Sequence, residues 1–272
     1  MLVRTWNLFH GNTKPPGRHA FLDEMVELAT ADDPDVLCLQ EIKCAADDFP
    51  IDAVAGLGYE VAAHGTGRWA GVAILSRVGL TEVQRGLPDE PGFQPEDAMF
   101  EVHETRAIAA TCAGVRLWSV YVPNGREIGH PHYDYKLRWL EALRSTVVAE
   151  LATPRPFAVL GDFNIAPTDA DVWDITQFAT STHVTEPERR ALAALQEAGL
   201  SDVPPRALKY DLPFTYWDYR QLCFPKNRGM RIDLVLADKR FAAAVVDSYV
   251  DREARKGTGA SDHAPVVVDV QL

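Results

Sequence analysis

Apolar residues gather in short runs along the chain. Runs at 2–6, 35–40, 59–63, 71–76, 99–103, 107–111, 115–122, 157–160, 232–236 and 265–270 read as β-strands. Several alternate apolar with polar positions, as half-buried strands do. Others are continuously apolar, as strands covered on both faces are. Three segments follow a helical period instead. Residues 18–30 carry Phe21, Leu22, Met25, Val26 and Leu28. Between 133 and 151, Tyr133, Leu137, Leu140, Val147 and Leu151 share a face, with Lys136, Arg138 and Glu141 turned away. Thr185-Glu186-Pro187-Glu188 reads as a capping box opening a helix that stops at Gly199. Segments 11–17 and 89–97, rich in Gly, Pro and polar residues, read as loops. Strands outnumber helices, which predicts an α/β fold with sheets packed on each other and helices outside. With no linker, repeat or low-complexity segment in view, one domain over residues 1–272 is expected.

Composition changes this picture little. A chain of 272 residues, 47% apolar and 24% charged, is an ordinary globular protein able to bury a core without staples. The net charge of −12 disfavours nucleic acid and anionic membrane as long-range partners. A local basic stripe or bound cations can reverse that field where it matters. Cys38, Cys44, Cys112 and Cys223 form no C-x-x-C pair, so nothing supports a zinc or redox motif of that kind. Cys38 and Cys112 lie in apolar runs and read as small core residues, which suits a reducing cytoplasm. The opening MLVRTWN shows no secretory signal, and no apolar stretch approaches the ~18 residues of a transmembrane helix.

The candidate chemistry lies where strands end. PFAVLGDFNIAPTD (156–169) places Asp162 and Asn164 just beyond an apolar strand, on one side of an extended chain, after Gly161 has permitted an abrupt turn. The same residues also read as an Asx-rich turn. Ser261-Asp262-His263 precedes the last strand; Asp and His side by side suit a cation and a phosphate oxygen, or merely a cap and a surface histidine. Asp233 interrupts an apolar strand and needs a partner, for which His263 is the obvious candidate; a solvent-facing strand end is the plainer alternative. Glu41 closes the strand at 35–40, Asn7 the first, and Tyr121 leads into Pro123-Asn124-Gly125. If these ends converge, they gather Asn7, Glu41, Tyr121, Asp162, Asn164, Asp233, Asp262 and His263. That set is oxygen-rich with one histidine, suited to Mg²⁺ or Mn²⁺ rather than zinc.

The order of these motifs resembles the endonuclease/exonuclease/phosphatase superfamily, and most nearly its exodeoxyribonuclease III branch of class II apurinic/apyrimidinic endonucleases. The likeness is carried by WN at 6–7, PDVLCLQEIK at 34–43, GLGYEV at 56–61, GVAILS at 71–76, YVPNG at 121–125, GDFNIAPTD at 161–169 and SDHAPV at 261–266. FTYWDYR at 214–220 and NRGMRIDLVLA at 227–237 point to that branch in particular. The resemblance implies a four-layer α/β sandwich of the DNase I-like kind, with two mixed sheets flanked by helices. It implies a metal-dependent phosphodiesterase that incises duplex DNA 5′ to abasic sites, with 3′→5′ exonuclease and 3′-phosphatase activity. Asp162 would prepare the water, Asn164 would stabilise developing charge, and His263, oriented by Asp233, would hold a non-bridging oxygen. Tyr121 would contact the phosphate or assist the leaving group. Glu41, Asn7 and Asp262, with Asp162 and Asn164, would surround Mg²⁺ or Mn²⁺. Arg126, Lys136, Lys226, Arg228 and Arg231 would contact the DNA backbone, and Arg68 reads as solvated surface charge. Tyr216, Trp217, Met230 and Ile232 match positions lining a pocket for a baseless sugar; core packing is about as good a reading for Trp217 and Ile232. The chain departs from the pattern after Asn7, where a longer loop places Phe9, His10 and Asn12. The expected partner is duplex DNA with abasic sites or blocked 3′ ends, the expected state a monomer, and the expected setting the bacterial cytoplasm, with no membrane.

Two other functions fit parts of the sequence. A phosphoesterase for small molecules or lipid headgroups suits the acidic charge and the divergent first loop, and is opposed by the 214–220 and 227–237 stretches. A catalytically silent nucleic-acid-binding protein would require loss of a catalytic residue, yet all eight are present.

Overall fold

The computed structural model describes residues 1–8, 33–67, 69–95, 99–256 and 260–271. The expected helix at 18–30, the loop at 11–17, and Phe9, His10, Asn12 and Arg68 lie outside them.

The described strands form two mixed sheets on a common plan. In the first, β1 (Leu2–Asn7) runs parallel to β2 (Val36–Gln40), with β13 (Val266–Val270) antiparallel to β1 and β4 (Val72–Ser76) antiparallel to β2. β3 (Glu60–His64) closes one edge, and β12 (Val245–Val250) with β10 (Arg206–Ala207) the other. In the second, β7 (Val115–Tyr121) runs parallel to β8 (Phe157–Asp162), with β6 (Ala107–Cys112) antiparallel to β7 and β11 (Asp233–Ala237) antiparallel to β8. β5 (Thr81–Arg85) and the short β9 (Ser201–Asp202) are its edges.

The continuously apolar runs belong to strands covered on both faces, and side-chain parity sorts them. Val36, Cys38, Leu117, Ala158, Leu160, Val235, Val266 and Val268 meet between the sheets. Trp6, Leu37, Leu39 and Leu75 point outward and pack with Val54 of α1 (Ile51–Ala55). On the far side, Trp118, Val159 and Leu234 pack under Tyr135, Trp139 and Leu143 of α2 (Pro131–Leu151) and Leu192 and Leu195 of α3 (Glu186–Glu197). Helix, sheet, sheet, helix is the four-layer α/β sandwich expected. A fourth helix, α4 (Lys239–Ala244), lies between β11 and β12 in the chain. No described helix is long and apolar enough to cross a membrane. Cys38 and Cys112 are buried thiols in the apolar core, as expected.

The capping box at Thr185 is present, with the Glu188 carboxylate accepting from the Thr185 N–H at 3.1 Å. The expected strand at 99–103 is not: only Val102 pairs, in a lone bridge to Phe93. Met99 and Phe100 are 82% and 75% exposed, so their apolar character serves no sheet face. The unanticipated β5 is a polar edge strand, TEVQR, whose pattern carries no buried face to detect.

Candidate active site

The same parity that sorts the core builds the site. Asn7, Tyr121 and Asp162 occupy the last inward-facing positions of β1, β7 and β8, and Asp233 the first of the antiparallel β11, all at the mouth of the space between the sheets. Register aligns Tyr121 with Asp162 and Asp162 with Asp233. Three functional side chains thus stand in a row across one sheet, and Asn7 approaches from the other. Beneath them the Gln40 amide donates to the Thr5 hydroxyl at 3.1 Å and the Ser119 hydroxyl at 3.0 Å, and so joins the sheets.

Gly161 has a different task from the abrupt turn expected of it. β8 continues through it to Asp162, and a Cβ there would lie 2.0 Å from the Val120 carbonyl oxygen. The glycine lets β7 and β8 close together just before the catalytic position. The turn comes later, at Asn164, whose backbone is left-handed with φ of 51°. Glu41, Lys43, Arg126 and His183 are also left-handed. Such strain persists only where surrounding structure enforces it, and these five residues carry it at the cavity.

Asp162 is thoroughly held. Its Oδ1 accepts from the Asn164 backbone N–H at 2.8 Å, and its Oδ2 from Asn7 Nδ2 at 2.9 Å and Asn164 Nδ2 at 3.1 Å. Asn7 Nδ2 also donates to Glu41 Oε1 at 3.0 Å. His263 Nδ1 donates to Asp233 Oδ2 at 2.8 Å, and its Nε2 lies 4.0 Å from Asp162 Oδ2. The loop carrying it is fastened to β1: Ser261 donates to the Asn7 carbonyl at 2.6 Å, and the Trp6 indole to the His263 carbonyl at 3.0 Å.

Burial sets the charges against one another. It raises the Asp162 carboxyl to about 7; His263 pulls the other way and Asp233 adds to the rise. Burial alone would lower His263, but Asp233 outweighs it and lifts the imidazole to about 10. Burial also raises Asp262, to about 6, against the pull of His263. For Glu41 burial is outweighed by the Lys43 ammonium, 2.6 Å from Oε2, and the carboxyl lies below its ordinary value. Burial, with Glu41 beside it, pushes the Tyr121 phenol well above its ordinary value, so it stays protonated.

Residues 5–263 match the sequence profile of the Endonuclease/Exonuclease/phosphatase family. The chain belongs to this family. It is 30% identical over 249 residues to exodeoxyribonuclease III of Haemophilus influenzae, covering 86% of this chain and 88% of that one. A 3′-5′ exonuclease from Neisseria meningitidis superposes with TM-score 0.87 at 34% identity over the whole of both chains. An AP endonuclease from Archaeoglobus fulgidus superposes with TM-score 0.86 at 30% identity, again over both whole chains.

In this member of the endonuclease/exonuclease/phosphatase family the site opens into a cavity of about 740 Å³. Glu41, Tyr121, Asp162, Asn164, Asp262 and His263 line it, with Tyr216, Met230 and Ile232 as an apolar wall. Trp217 turns away from it. The indole is 1% exposed, donates to Asn227 Oδ1 at 3.2 Å and packs edge-on against Phe224, so it belongs to the core.

Two expected DNA contacts are also internal. Arg231 is tied to Asp171 at 2.6 Å and Asp202 at 2.9 Å. Lys136, expected to face away from its helix's apolar side, is 0% exposed. It points inward because Glu188 of α3 meets it in an ion pair, while Nζ donates to the carbonyls of Asn164 at 2.7 Å and Asn124 at 3.3 Å. Glu188 in turn accepts from the His183 N–H at 3.0 Å. The pair therefore braces the backbone of three cavity residues. Lys136→Met should cost about 3–5 kcal/mol in urea unfolding, because it strands a buried carboxylate. Adding Glu188→Met should restore only part of that stability, because it also removes the acceptor of the Thr185 and His183 N–H groups, and should not restore kcat, since Asn164 still lacks its brace.

Sequence reasoning missed Lys43, Arg106, Asn124 and His183, all of which line the cavity. The signal for Asn124 was its place in YVPNG. Asn164 Nδ2 donates to Asp162 and, at 3.0 Å, to the Val122 carbonyl, which fixes Oδ1 as an acceptor. His183 Nε2, 3.0 Å from that Oδ1, must therefore carry the hydrogen, and Thr182 donates to Nδ1. Burial and then the nearby Lys136 charge lower His183 to about 4, so it is neutral. Asn124 Nδ2 gives one hydrogen to Asn164 Oδ1 at 3.1 Å. In this tautomer its other hydrogen has no acceptor among the described residues. Asn164 is saturated and orients Asp162, and Asn124 holds the available amide donor.

The same saturation removes Asn164 from the expected metal ligands, and Asp162 already accepts three hydrogen bonds. Asp262 Oδ1 is buried without a partner and lies in the field of Glu41, which makes these two carboxylates the residues that fit a cation. Among the described residues no three His, Cys, Asp or Glu side chains form a cage. Mg²⁺ does not require one: it keeps several waters and takes one or two carboxylates plus substrate phosphate.

Proposed function

We propose that this chain is a divalent-metal-dependent phosphodiesterase of DNA repair, similar to exodeoxyribonuclease III. It would incise duplex DNA 5′ to abasic sites, degrade 3′ ends and release 3′-phosphates. The observation carrying this reading is the juxtaposition of Asp162 and His263. A carboxylate with pKa raised to about 7 stands 4.0 Å from an imidazole raised to about 10, in an open cavity. One can accept a proton near neutrality while the other stays charged.

Asp162 removes a proton from water as the water oxygen bonds to phosphorus. The imidazolium Nε2–H of His263 and the Asn124 amide donate to non-bridging oxygens. The bond to the departing 3′-oxygen breaks, and the protonated Tyr121 phenol stands ready to donate to that oxygen. Glu41 and Asp262 would hold Mg²⁺ or Mn²⁺, which would supply further neutralisation of phosphate charge when bound. Arg126 on the cavity rim is placed to contact the DNA backbone, as is the exposed Lys226 outside it. Tyr216, Met230 and Ile232 offer the apolar wall for a baseless sugar. The Neisseria relative described as a 3′ phosphatase bound to a product DNA hairpin, with TM-score 0.87, supports a DNA substrate. We take the working species as a monomer, and the buried thiols of Cys38 and Cys112 favour the bacterial cytoplasm as its setting.

Duplexes bearing an abasic site, a nick or a 3′-phosphate, each assayed with Mg²⁺ and with chelator, test this function. Incision or phosphate release with Mg²⁺, lost on chelation, is expected. No product from any duplex would favour a small-molecule or lipid-headgroup substrate. The pH profile follows from Asp162, which works deprotonated. kcat/KM should fall about tenfold per pH unit below its pKa. The midpoint should lie near or below 7 and move down as divalent cation is raised. A flat acid limb would remove Asp162 from the role of base.

A further inference from the structure

The two carboxylates that fit a cation are not equally open. Asp262 Oδ1 is buried without a hydrogen-bond partner among the described residues. Both oxygens of Glu41 are engaged: Oε1 accepts from Asn7 Nδ2 at 3.0 Å, and Oε2 meets the Lys43 ammonium at 2.6 Å. This ion pair is local to the chain. Glu41 and Lys43 both line the catalytic cavity, while Ile42 between them is buried with Trp6 and Leu39 on the outer side of the first sheet.

Backbone holds the pair in place. β2 stops at Gln40, and Glu41 and Lys43 are left-handed, with φ of 54° and 45°. Their turn is stitched to the approach of β4. The Ile42 N–H donates to the Gly71 carbonyl at 3.2 Å, and the Lys43 N–H to the Ala70 carbonyl at 3.0 Å. Gly71 lets the two segments meet, since a Cβ there would lie 2.7 Å from Ile42 Cγ1. The strained turn thus keeps ammonium and carboxylate facing the same space.

Other cations of the cavity are committed elsewhere. Arg106 is tied to Glu104, and His263 to Asp233. Among the described residues, Lys43 is the one cation in an ion pair with Glu41 or Asp262. An ammonium is a compact charge on a flexible four-carbon stem. It and a divalent cation repel each other strongly if they share one carboxylate oxygen. A cation that takes Glu41 Oε2 therefore displaces the amine. The stem leaves the displaced ammonium in the cavity, where the substrate phosphate is an anion in need of a donor.

We propose that Lys43 is the resident counter-ion of Glu41, exchanged for the divalent cation when the cation binds and passed to the reacting phosphate. The proposal rests on the metal-dependent reading above. It makes cation and substrate bind cooperatively. The cation frees the ammonium for the phosphate, and the phosphate draws the ammonium away from Glu41; by linkage the two effects are equal. A cation binding alone breaks the ion pair with nothing to replace it, and binds weakly.

The test measures Mn²⁺ binding by calorimetry to wild-type, Lys43→Met and Lys43→Arg protein without nucleic acid. Michaelis kinetics on a 3′-phosphorylated duplex at saturating Mn²⁺ complete it. Lys43→Met keeps an unbranched stem and removes the charge. It should bind Mn²⁺ about tenfold more tightly than the wild type and raise KM for the duplex about tenfold, within the usual range of coupling between two ligands. A turn that merely loosened would weaken both ligands, so the opposite signs separate exchange from a structural role. Lys43→Arg keeps the charge and should stay within about threefold of the wild type in both. Unchanged or weaker Mn²⁺ binding in Lys43→Met overturns the exchange alone, as does an unchanged duplex KM. A Lys43→Arg variant that follows Lys43→Met in both does so too. A wild type that binds no Mn²⁺ and turns over the duplex in chelator overturns the metal-dependent reading, and the exchange with it.

Discussion

Asp162→Asn should lower kcat on a 3′-phosphorylated duplex by about 10³–10⁴-fold, the upper part of what a positioned general base contributes, and leave the fold intact. The substitution keeps the shape of a side chain that accepts three N–H groups from Asn7 and Asn164. One of those donors will face an amide NH₂, which costs about 1–3 kcal/mol. An opposing gain follows from the sign of the pKa shift. Because Asp162 is raised to about 7 in the folded protein, its charged form is less favourable there than in the unfolded chain. The carboxylate therefore works against folding at and above neutral pH, and removing it relieves that loss. The thermal midpoint should stay close to that of the wild type while single-turnover hydrolysis collapses. Full retained activity in a folded variant would show that another group prepares the water.

The second large effect should come from Asp233→Asn, through His263. Asp233 offsets burial and keeps the imidazole protonated up to about pH 10. With a neutral amide in its place, burial is opposed by Asp162 and Asp262 alone, and His263 loses its proton at lower pH than in the wild type. A charged donor aimed at the phosphate is then gone, at a cost of about 10²–10³ in kcat. The signature is in the pH profile. His263 works protonated, so activity is lost as pH rises through its pKa; the wild type shows that loss only near 10, the variant well below. A basic limb that stays in place in Asp233→Asn would mean that the carboxylate serves structure alone.

Much of this site can be read without coordinates because the chain writes it as polar residues at the ends of apolar strands. β2 and β8 are continuous apolar runs, and Glu41 and Asp162 sit where the runs stop. The capping box of α3 is purely local and appears as written. What escapes the sequence depends on partners far along the chain. Lys136 looks like a solvated helix lysine until Glu188, 52 residues later, meets it inside the protein. Arg231 and Trp217 lie in the same motifs as Met230 and Tyr216, yet only tertiary packing turns the first two inward and the others to the cavity. Asn124 and Asn164 differ in role because of His183, whose ring arrives from another segment and fixes which amide is saturated.

The polar bridge of Gln40, Thr5 and Ser119 has a mechanical corollary. Asn7 belongs to one sheet and Asp162, Tyr121 and Asp233 to the other, so the catalytic constellation exists only while the two halves keep their alignment. Hydrolysis is in effect a vernier on that alignment. A slip of an ångström between halves would leave each sheet's own ladder of hydrogen bonds whole while pulling Asn7 off Asp162. In a mild denaturant titration, turnover should therefore fade before the far-ultraviolet dichroism does.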